Sequence, residues 1–182
     1  MELILDILIS ALSIVVIGQY TWSGRGHFHS ERMPRGALLI SLVVLLTAFF
    51  FLYLTWAQPQ PVAAQVAGFV LQLLSWWLFW RTIAASRDAR LRLAFDEGAP
   101  RGLVTDGPYR YFRHPFYVSY VMFWAGWTLA LWSLPALLPF VIVVTLYVIA
   151  ARMEERKFAG TPMAAEYEAY RQRTGFFWPN LG

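Results

Sequence analysis

Cysteine is absent from this chain of 182 residues, and charged residues make up only 14% of it. The missing cysteine excludes disulfides, thiol nucleophiles, iron–sulfur clusters and cysteine-based zinc sites. Soluble domains carry roughly 25% charged residues, whereas this chain is 58% hydrophobic and has a mean hydropathy of +0.48. A domain of this size cannot bury so much apolar surface by itself. The composition therefore excludes a water-soluble globule and a disordered chain, and it predicts an integral membrane protein.

Histidine is also scarce, with only His27, His29 and His114 in the chain. A histidine-based metal site would need nearly all of them, and Glu31 is the only carboxylate near the first two. We therefore expect no metal site. The sequence also lacks the dinucleotide-binding glycine motif, the P-loop, the nucleophile elbow and the H-E-x-x-H zinc motif. These absences argue against the common classes of soluble enzyme.

Five apolar stretches are long enough to cross the ~30 Å hydrocarbon core of a bilayer, which takes about 17–25 helical residues. The last two are short and almost continuous, so we expect a tight helical hairpin there. The amino terminus lacks the basic segment and cleavage site of a signal peptide, and we interpret it as the first span. The five predicted spans are Leu3–Gln19, Gly36–Ala57, Val62–Ala85, Pro115–Trp132 and Leu134–Ala151.

The distribution of basic residues predicts the orientation. All 15 lysines and arginines fall in or beside the connections Tyr20–Arg35 and Ser86–His114 and the tail Arg152–Gly182, which lie on one side of a five-span arrangement. Positive charge marks the cytoplasmic face, so the amino terminus is expected outside and the tail inside. We attribute the basic charge to anionic membrane lipid and expect no nucleic-acid partner. The expected location is a bacterial inner (cytoplasmic) membrane, with the active site on the cytoplasmic side.

Several polar or aromatic residues within the spans allow two interpretations each. Gln65 and Gln72 lie seven residues apart on one face of the third span, and we favour an interhelical hydrogen bond, typically ~0.6 kcal/mol in membranes, over substrate contact. We interpret Asp6, near the outer end of the first span, as incidental. The tryptophan-rich run at 76–80 is more typical of an interfacial aromatic belt than of a ligand platform.

The segment Asp106–Tyr117 concentrates arginine, proline and tyrosine before the fourth predicted span. Gly107 and Pro108 favour a turn, and Pro115 suits the first turn of a helix. His114 and its neighbour Arg113 then lie at the positive end of that helix, which can bind a carboxylate or another anion. The residue types alone are equally compatible with an interfacial anchor.

The motif G-P-Y-R-Y-F-R-H-P-F-Y at 107–117 is followed by Glu154-Glu155 and then by Y-x-x-R at 170–173. This series resembles the isoprenylcysteine carboxyl methyltransferase family over about 103–179, and phospholipid N-methyltransferases share the pattern. The resemblance implies an all-α integral membrane enzyme that uses S-adenosylmethionine. Its cofactor pocket would be formed without a Rossmann fold by the cytoplasmic loop and the carboxyl-terminal helix. We expect a single membrane domain over 1–182, with the less specific spans in 1–101 and the site in 102–182.

The resemblance also implies the site residues. Cofactor binding would involve Tyr109, Arg113, His114, Pro115, Tyr117, Glu154 and Glu155, and the reacting group would lie near Arg173, Glu155 and Tyr170. Adjacent helical residues point about 100° apart, so we expect one glutamate to face the site and the other to pair with Arg152 or Lys157. Ser119 departs from the family, which often has glycine at that position.

The leading hypothesis is methyl transfer to a lipophilic or small membrane-accessible acceptor, such as a prenylcysteine, an isoprenoid or quinone-like molecule, or a small thiol. One alternative is a phospholipid amine N-methyltransferase. Another is an NADPH-dependent reductase, because membrane sterol reductases carry a similar R-H-P-x-Y motif. The third is a non-enzymatic scaffold whose cytoplasmic arginines bind anionic lipid. The acceptor atom, whether oxygen, nitrogen or sulfur, stays open.

Overall fold

A computed structural model describes residues 1–26, 34–87 and 102–180. These ranges form six α-helices and two short 3-10 turns, and the only strand-like pairing in them is one isolated bridge between Phe112 and Gly175. His27, His29 and Glu31 lie outside the described residues. The helices are α1 Glu2–Gly26, α2 Arg35–Ala57, α3 Val62–Ser86, α4 Pro115–Leu131, α5 Leu137–Phe158 and α6 Ala164–Arg173, and the 3-10 turns are Gly107–Arg110 and Leu134–Ala136.

Four segments of the described chain are long and apolar enough to cross a membrane: α1, α2, α3 and the segment Leu134–Phe158 that contains α5. The prediction of an all-α protein with multiple apolar helices is therefore confirmed in its coarse form. Helix α4 is equally apolar but has 17 residues, which rise only about 26 Å at 1.5 Å per residue. The fifth span and the orientation stay predictions.

The apolar residues of α2 surround the whole helix, as expected for a membrane span. Leu42, Leu46 and Phe49 are exposed on the outside of the bundle, while Phe51 is fully buried. The Phe51 ring packs edge-on against Trp127 and Trp124 of α4, with ring centroids 5.5 and 5.6 Å apart. The core of the protein is thus an aromatic cluster centred on α4, and large apolar side chains cover the outer surface.

Helices α3 and α4 approach each other closely at two glycines. A β-carbon on Gly126 would lie 2.7 Å from the carbonyl oxygen of Gly68, and one on Gly68 would lie 2.7 Å from the backbone nitrogen of Ala130. Small residues at such crossings let helix backbones pack in direct contact, which is a principal source of helix association in membranes. This contact fixes α4, and with it the residues at the amino-terminal end of α4.

We expect Gly68→Ala to destabilise the protein, because the added methyl group meets backbone atoms that cannot move independently. Overpacking of this kind costs about 1–3 kcal/mol, and the measurement is the thermal unfolding midpoint in detergent. Gly18→Ala in α1 is the matched control, since a β-carbon there meets nothing within 4 Å. Alanine is normally preferred to glycine in a helix, so an equal loss of stability in both variants would contradict the proposed close packing.

Polar side chains join α1 to α3. Gln65 Nε2 donates to Asp6 Oδ1 at 2.6 Å, and Gln72 Nε2 donates to Ser13 Oγ at 3.0 Å. The predicted interhelical role of the two glutamines is therefore confirmed. The interpretation of Asp6 as incidental was wrong, because Asp6 is the acceptor for Gln65. The sequence could not indicate this pairing, since it depends on which face of α1 meets α3.

Helix α1 continues beyond the predicted end at Gln19 to Gly26. The physical reason is packing, because the Tyr20 ring lies 4.4 Å from that of Tyr120 and 4.8 Å from that of Phe79. Trp76 and Trp80 both donate indole N–H bonds to Gln19 Oε1, at 2.6 and 2.9 Å. These contacts favour the structural interpretation of the aromatic run over a ligand platform.

Candidate active site

Glu155, near the end of α5, lies against the two residues that precede α4. Its Oε1 accepts a hydrogen bond from Arg113 Nε at 2.7 Å and lies 3.2 Å from His114 Nε2. Helix α5 runs past the apolar stretch to Phe158 without a break. The site therefore forms because the charged last turns of α5 reach the level at which α4 begins.

His114 lies between both glutamates of the pair. Its Nδ1 lies 3.5 Å from Glu154 Oε2, and Glu154 Oε1 accepts a hydrogen bond from the Tyr117 hydroxyl at 2.8 Å. The expectation that only one glutamate faces the site was wrong. The two nitrogens of the imidazole lie on different edges of the ring. The side chains of Glu154 and Glu155 point in different directions from α5, so each carboxylate can contact a different nitrogen. His114, Glu154 and Glu155, with Arg113 and Tyr117, are termed the site cluster below.

Charge explains how the site cluster is held together. Burial alone lowers the pKa of His114, whose side chain is 7% exposed, but the two carboxylates outweigh it, and the net effect is a raised pKa. When it is protonated, the imidazole carries an N–H on both nitrogens, one directed toward each glutamate. Arg113 adds a second positive charge on Glu155. With His114 protonated, the cluster is therefore a nearly balanced set of two cations and two anions.

We expect the stability of the protein to depend on pH through His114. A raised folded-state pKa means that the stabilisation is fully present below about pH 6.5, the usual histidine pKa. It is then lost as pH rises through the folded-state value. Thermal unfolding midpoints measured from pH 6 to pH 9 should fall with pH in the wild type and fall less in His114→Asn. The double variant His27→Asn/His29→Asn is the control, and it should retain the wild-type slope.

Residues 174–180, which follow α6 and are termed the C-terminal strap, fold back over the site cluster. Arg113 Nη1 donates to the carbonyl oxygens of Thr174 and Arg171, at 2.6 and 3.1 Å. The backbone N–H of Arg113 also donates to the carbonyl oxygen of Gly175 at 2.8 Å. Arg113 is therefore both the partner of Glu155 and the anchor of the C-terminal strap.

Two adjacent phenylalanines of the C-terminal strap cover the imidazole. The Phe176 ring lies 5.1 Å from that of His114 and stacks on Phe177 at 4.6 Å, and the Arg113 guanidinium lies 5.5 Å from the Phe176 centroid. No sequence motif predicted a role for these two residues. Their only sequence signal is a pair of aromatics outside every apolar run, which does not show what they contact.

The remaining predicted site residues have different positions. The buried Tyr170 donates its hydroxyl to the carbonyl oxygens of Tyr109 and Phe112, at 2.8 and 3.3 Å. Burial raises the pKa of Tyr170 to about 12, so it is a neutral donor that ties α6 to the turn before α4. Pro115 is the buried first residue of α4. Arg173 is exposed, and its Nε donates to Ala169 within its own helix, so the structure does not bring it into the site cluster.

Ser119, the departure from the family pattern, is completely buried without disturbing the site cluster. Its hydroxyl donates to the carbonyl oxygen of Phe116 at 2.7 Å, and its own carbonyl oxygen accepts from Ser75 of α3 at 2.8 Å. The hydroxyl is thus satisfied within its own helix. The serine is accommodated as part of the α3–α4 packing.

The family model described as phospholipid methyltransferase matches residues 63–162, more than half of the chain. This range contains the whole site cluster. The chain belongs to the phospholipid methyltransferase family. The match confirms the resemblance that the motifs indicated, and it favours the methyltransferase hypothesis over the reductase. Helix α6 and the C-terminal strap lie beyond the matched range.

A curated relative is described as a methanethiol S-methyltransferase, from Crocosphaera subtropica (strain ATCC 51142 / BH68). It is 30% identical over 120 residues, which make up 63% of this chain and 44% of the relative. The chain therefore aligns with less than half of that protein. The relative is a methyltransferase of a sulfur-containing substrate, whereas the family description names phospholipids.

The charges of the site cluster fit the polar part of S-adenosylmethionine, the cofactor that methyltransferases generally use. That part carries a sulfonium and an ammonium, which are positive, and a carboxylate, which is negative. Glu154, with 28% of its side chain exposed, can bind a cationic group, and Arg113 can bind the carboxylate. Aromatic faces such as those of Phe176 and Phe177 also attract cationic groups.

Proposed function

We propose that this protein is an S-adenosylmethionine-dependent membrane methyltransferase whose cofactor is bound by the site cluster on the cytoplasmic side. The observation that carries the proposal is the position of His114 between Glu154 and Glu155, inside the range that matches the family model. The proposed cytoplasmic location rests on the basic residues, all of which fall on that side of a five-span arrangement.

Toward the methyl donor, the residues of the site cluster bind and orient the cofactor and need not activate its methyl group. S-adenosylmethionine supplies a methyl group that is already activated by its sulfonium, so correct alignment with the acceptor provides much of the catalysis. Glu154 holds the cationic end, and His114, which is bound to Glu155, keeps the Glu154 carboxylate in position. The C-terminal strap excludes water from one side through Phe176 and Phe177.

We propose a small thiol as the methyl acceptor and a phospholipid amine as the second candidate. The first rests on the methanethiol-methylating relative, and the second on the family description. A thiol must lose its proton on methylation. Glu154 is the more exposed of the two glutamates, at 28% against 18%, and it is the group best placed to accept that proton.

The proposal is tested first by calorimetric titration of the detergent-purified protein with S-adenosylhomocysteine, with NADPH as a parallel ligand. We expect saturable one-to-one binding of S-adenosylhomocysteine that His114→Ala abolishes, and no binding of NADPH. Folded wild-type protein that binds NADPH instead would overturn the proposal in favour of a reductase. Binding of neither compound would favour the lipid-binding scaffold.

The acceptor is then identified with S-adenosylmethionine labelled in its methyl group. Ethanethiol, phosphatidylethanolamine and a total lipid extract are supplied separately, and the labelled product is extracted and counted. We expect label in the thioether product of ethanethiol. Label in the phospholipid alone would assign the second acceptor.

A further inference from the structure

An open-sided cavity of about 380 Å³ lies between the end of α5 and α6. Arg152 and Arg156 line it from α5, one helical turn apart, and Arg171 lines it from α6. Two stacked rings, Phe158 and Tyr167, with centroids 4.2 Å apart, form its apolar part. This cavity is termed the arginine groove. Its volume is within the usual range for a small-molecule site, about 300–1,000 Å³.

The acidic residues of the arginine groove do not neutralise its α5 arginines. Glu155 lines the groove, but its carboxylate is already bound by Arg113 and His114. Glu168 is paired with Arg171 at 3.3 Å, with both side chains about half exposed, and such surface pairs are weak. Within the described ranges, no hydrogen bond or ion pair joins Arg152 or Arg156 to another side chain.

The position of the arginine groove along α5 suggests its ligand. The apolar run of the predicted fifth span ends at Ala151, and Arg152 is the next residue. The groove therefore opens at the level where lipid headgroups meet water, and arginine side chains there extend toward phosphates. Two guanidiniums one turn apart also suit the bidentate hydrogen bonding of a phosphate.

We propose that the arginine groove binds a phosphate group, through Arg152 and Arg156, with Arg171 as the third donor. Two sources share this chemistry, the headgroup of an anionic phospholipid and a soluble phosphate. The proposal does not depend on the methyltransferase activity. The groove shares the Glu155 side chain with the site cluster, and none of its other lining side chains belongs to that cluster.

The test uses the full-length protein in an uncharged detergent, titrated with dioctanoyl phosphatidylglycerol and, separately, with inorganic phosphate. We expect saturable one-to-one binding in the wild type and at least a tenfold weaker affinity in R152Q/R156Q. The matched control is R81Q/R87Q, which removes two arginines at the end of α3, and its affinity should change less than twofold. Thermal unfolding verifies that each variant is folded, and the single variants R152Q and R156Q replace the double variant if it is not.

The two ligands distinguish the source of the phosphate. Tight binding of phosphatidylglycerol with weak binding of phosphate supports a lipid site, and comparable affinities support a soluble phosphate. The proposal is overturned if neither ligand binds, or if both double variants lose affinity equally. Displacement of the lipid by S-adenosylhomocysteine would also overturn it, because the groove would then belong to the cofactor pocket. Absence of S-adenosylhomocysteine binding in the wild type would count against the proposed function alone.

Discussion

Arg113→Lys should weaken S-adenosylhomocysteine binding at least a hundredfold and reduce methyl transfer accordingly. Arg113 makes three side-chain hydrogen bonds, to Glu155 through Nε and to the carbonyl oxygens of Thr174 and Arg171 through Nη1. A lysine ammonium keeps the charge but cannot reproduce the planar, divergent geometry of the guanidinium. We therefore expect the variant to lose both the hydrogen bond to the Glu155 carboxylate and the hydrogen bonds that hold the C-terminal strap.

Arg110→Lys is the matched control for this substitution. Arg110 lies on the exposed side of the turn that precedes Arg113, so its replacement should leave cofactor affinity within twofold of the wild type. Hydrogen exchange at residues 174–180 gives an independent measurement, and it should accelerate in Arg113→Lys alone. If Arg113→Lys bound S-adenosylhomocysteine as tightly as the wild type, Arg113 would be an interfacial charge, as the scaffold hypothesis predicts.

Glu155→Gln should produce the largest loss of stability among the site variants. The substitution keeps the shape of the side chain but leaves Arg113 and His114 without their shared anion. Removing one partner of a buried charge pair costs about 3–5 kcal/mol. Because 18% of the Glu155 side chain remains exposed, we expect a value of about 3 kcal/mol, at the lower end of that range. The measurement is the free energy of unfolding in detergent.

The control is Glu168→Gln, which removes the acidic partner of an exposed pair with Arg171. Exposed pairs contribute about 0–1 kcal/mol, so this variant should unfold close to the wild-type midpoint. If Glu155→Gln and Glu168→Gln lost similar amounts of unfolding free energy, the total charge of the protein, rather than the geometry around His114, would account for the stabilisation.

The motifs that carry the family resemblance contain all five residues of the site cluster, because those motifs are local in the sequence. Arg113, His114 and Tyr117 lie within five residues of one another, and the glutamates are adjacent. The sequence could not predict which of these side chains contact each other, because His114 and Glu155 are 41 residues apart in the chain. Their contact depends on the length of the α4–α5 hairpin and on α5 continuing as a rigid helix. The expectation for the two glutamates failed for this reason, since the sequence does not show that one imidazole lies between them.

In the C-terminal tail, too, the sequence predicted the helix but not which of its residues face the protein. The resemblance implied a carboxyl-terminal helix, and α6 confirms it. The resemblance grouped Tyr170 with Arg173 near the reacting group, but only Tyr170 is buried in the structure. The two residues lie three apart on a surface helix, so a small rotation of α6 decides which one faces the protein. Assigning both to the reaction remains a prediction that Arg173→Gln can test through its methyl-transfer rate.

The sequence by itself determined that this is a helical membrane protein, because apolar runs of this length admit few other structures and composition does not depend on folding. It also determined the family, since the motif residues are close together or regularly spaced. Only the tertiary structure decided that Asp6 binds Gln65, that Phe176 and Phe177 cover His114, and where the arginine groove lies. Each of these depends on which faces of separate helices meet, and close contacts such as Gly68 against Gly126 fix those faces through packing between residues far apart in the chain.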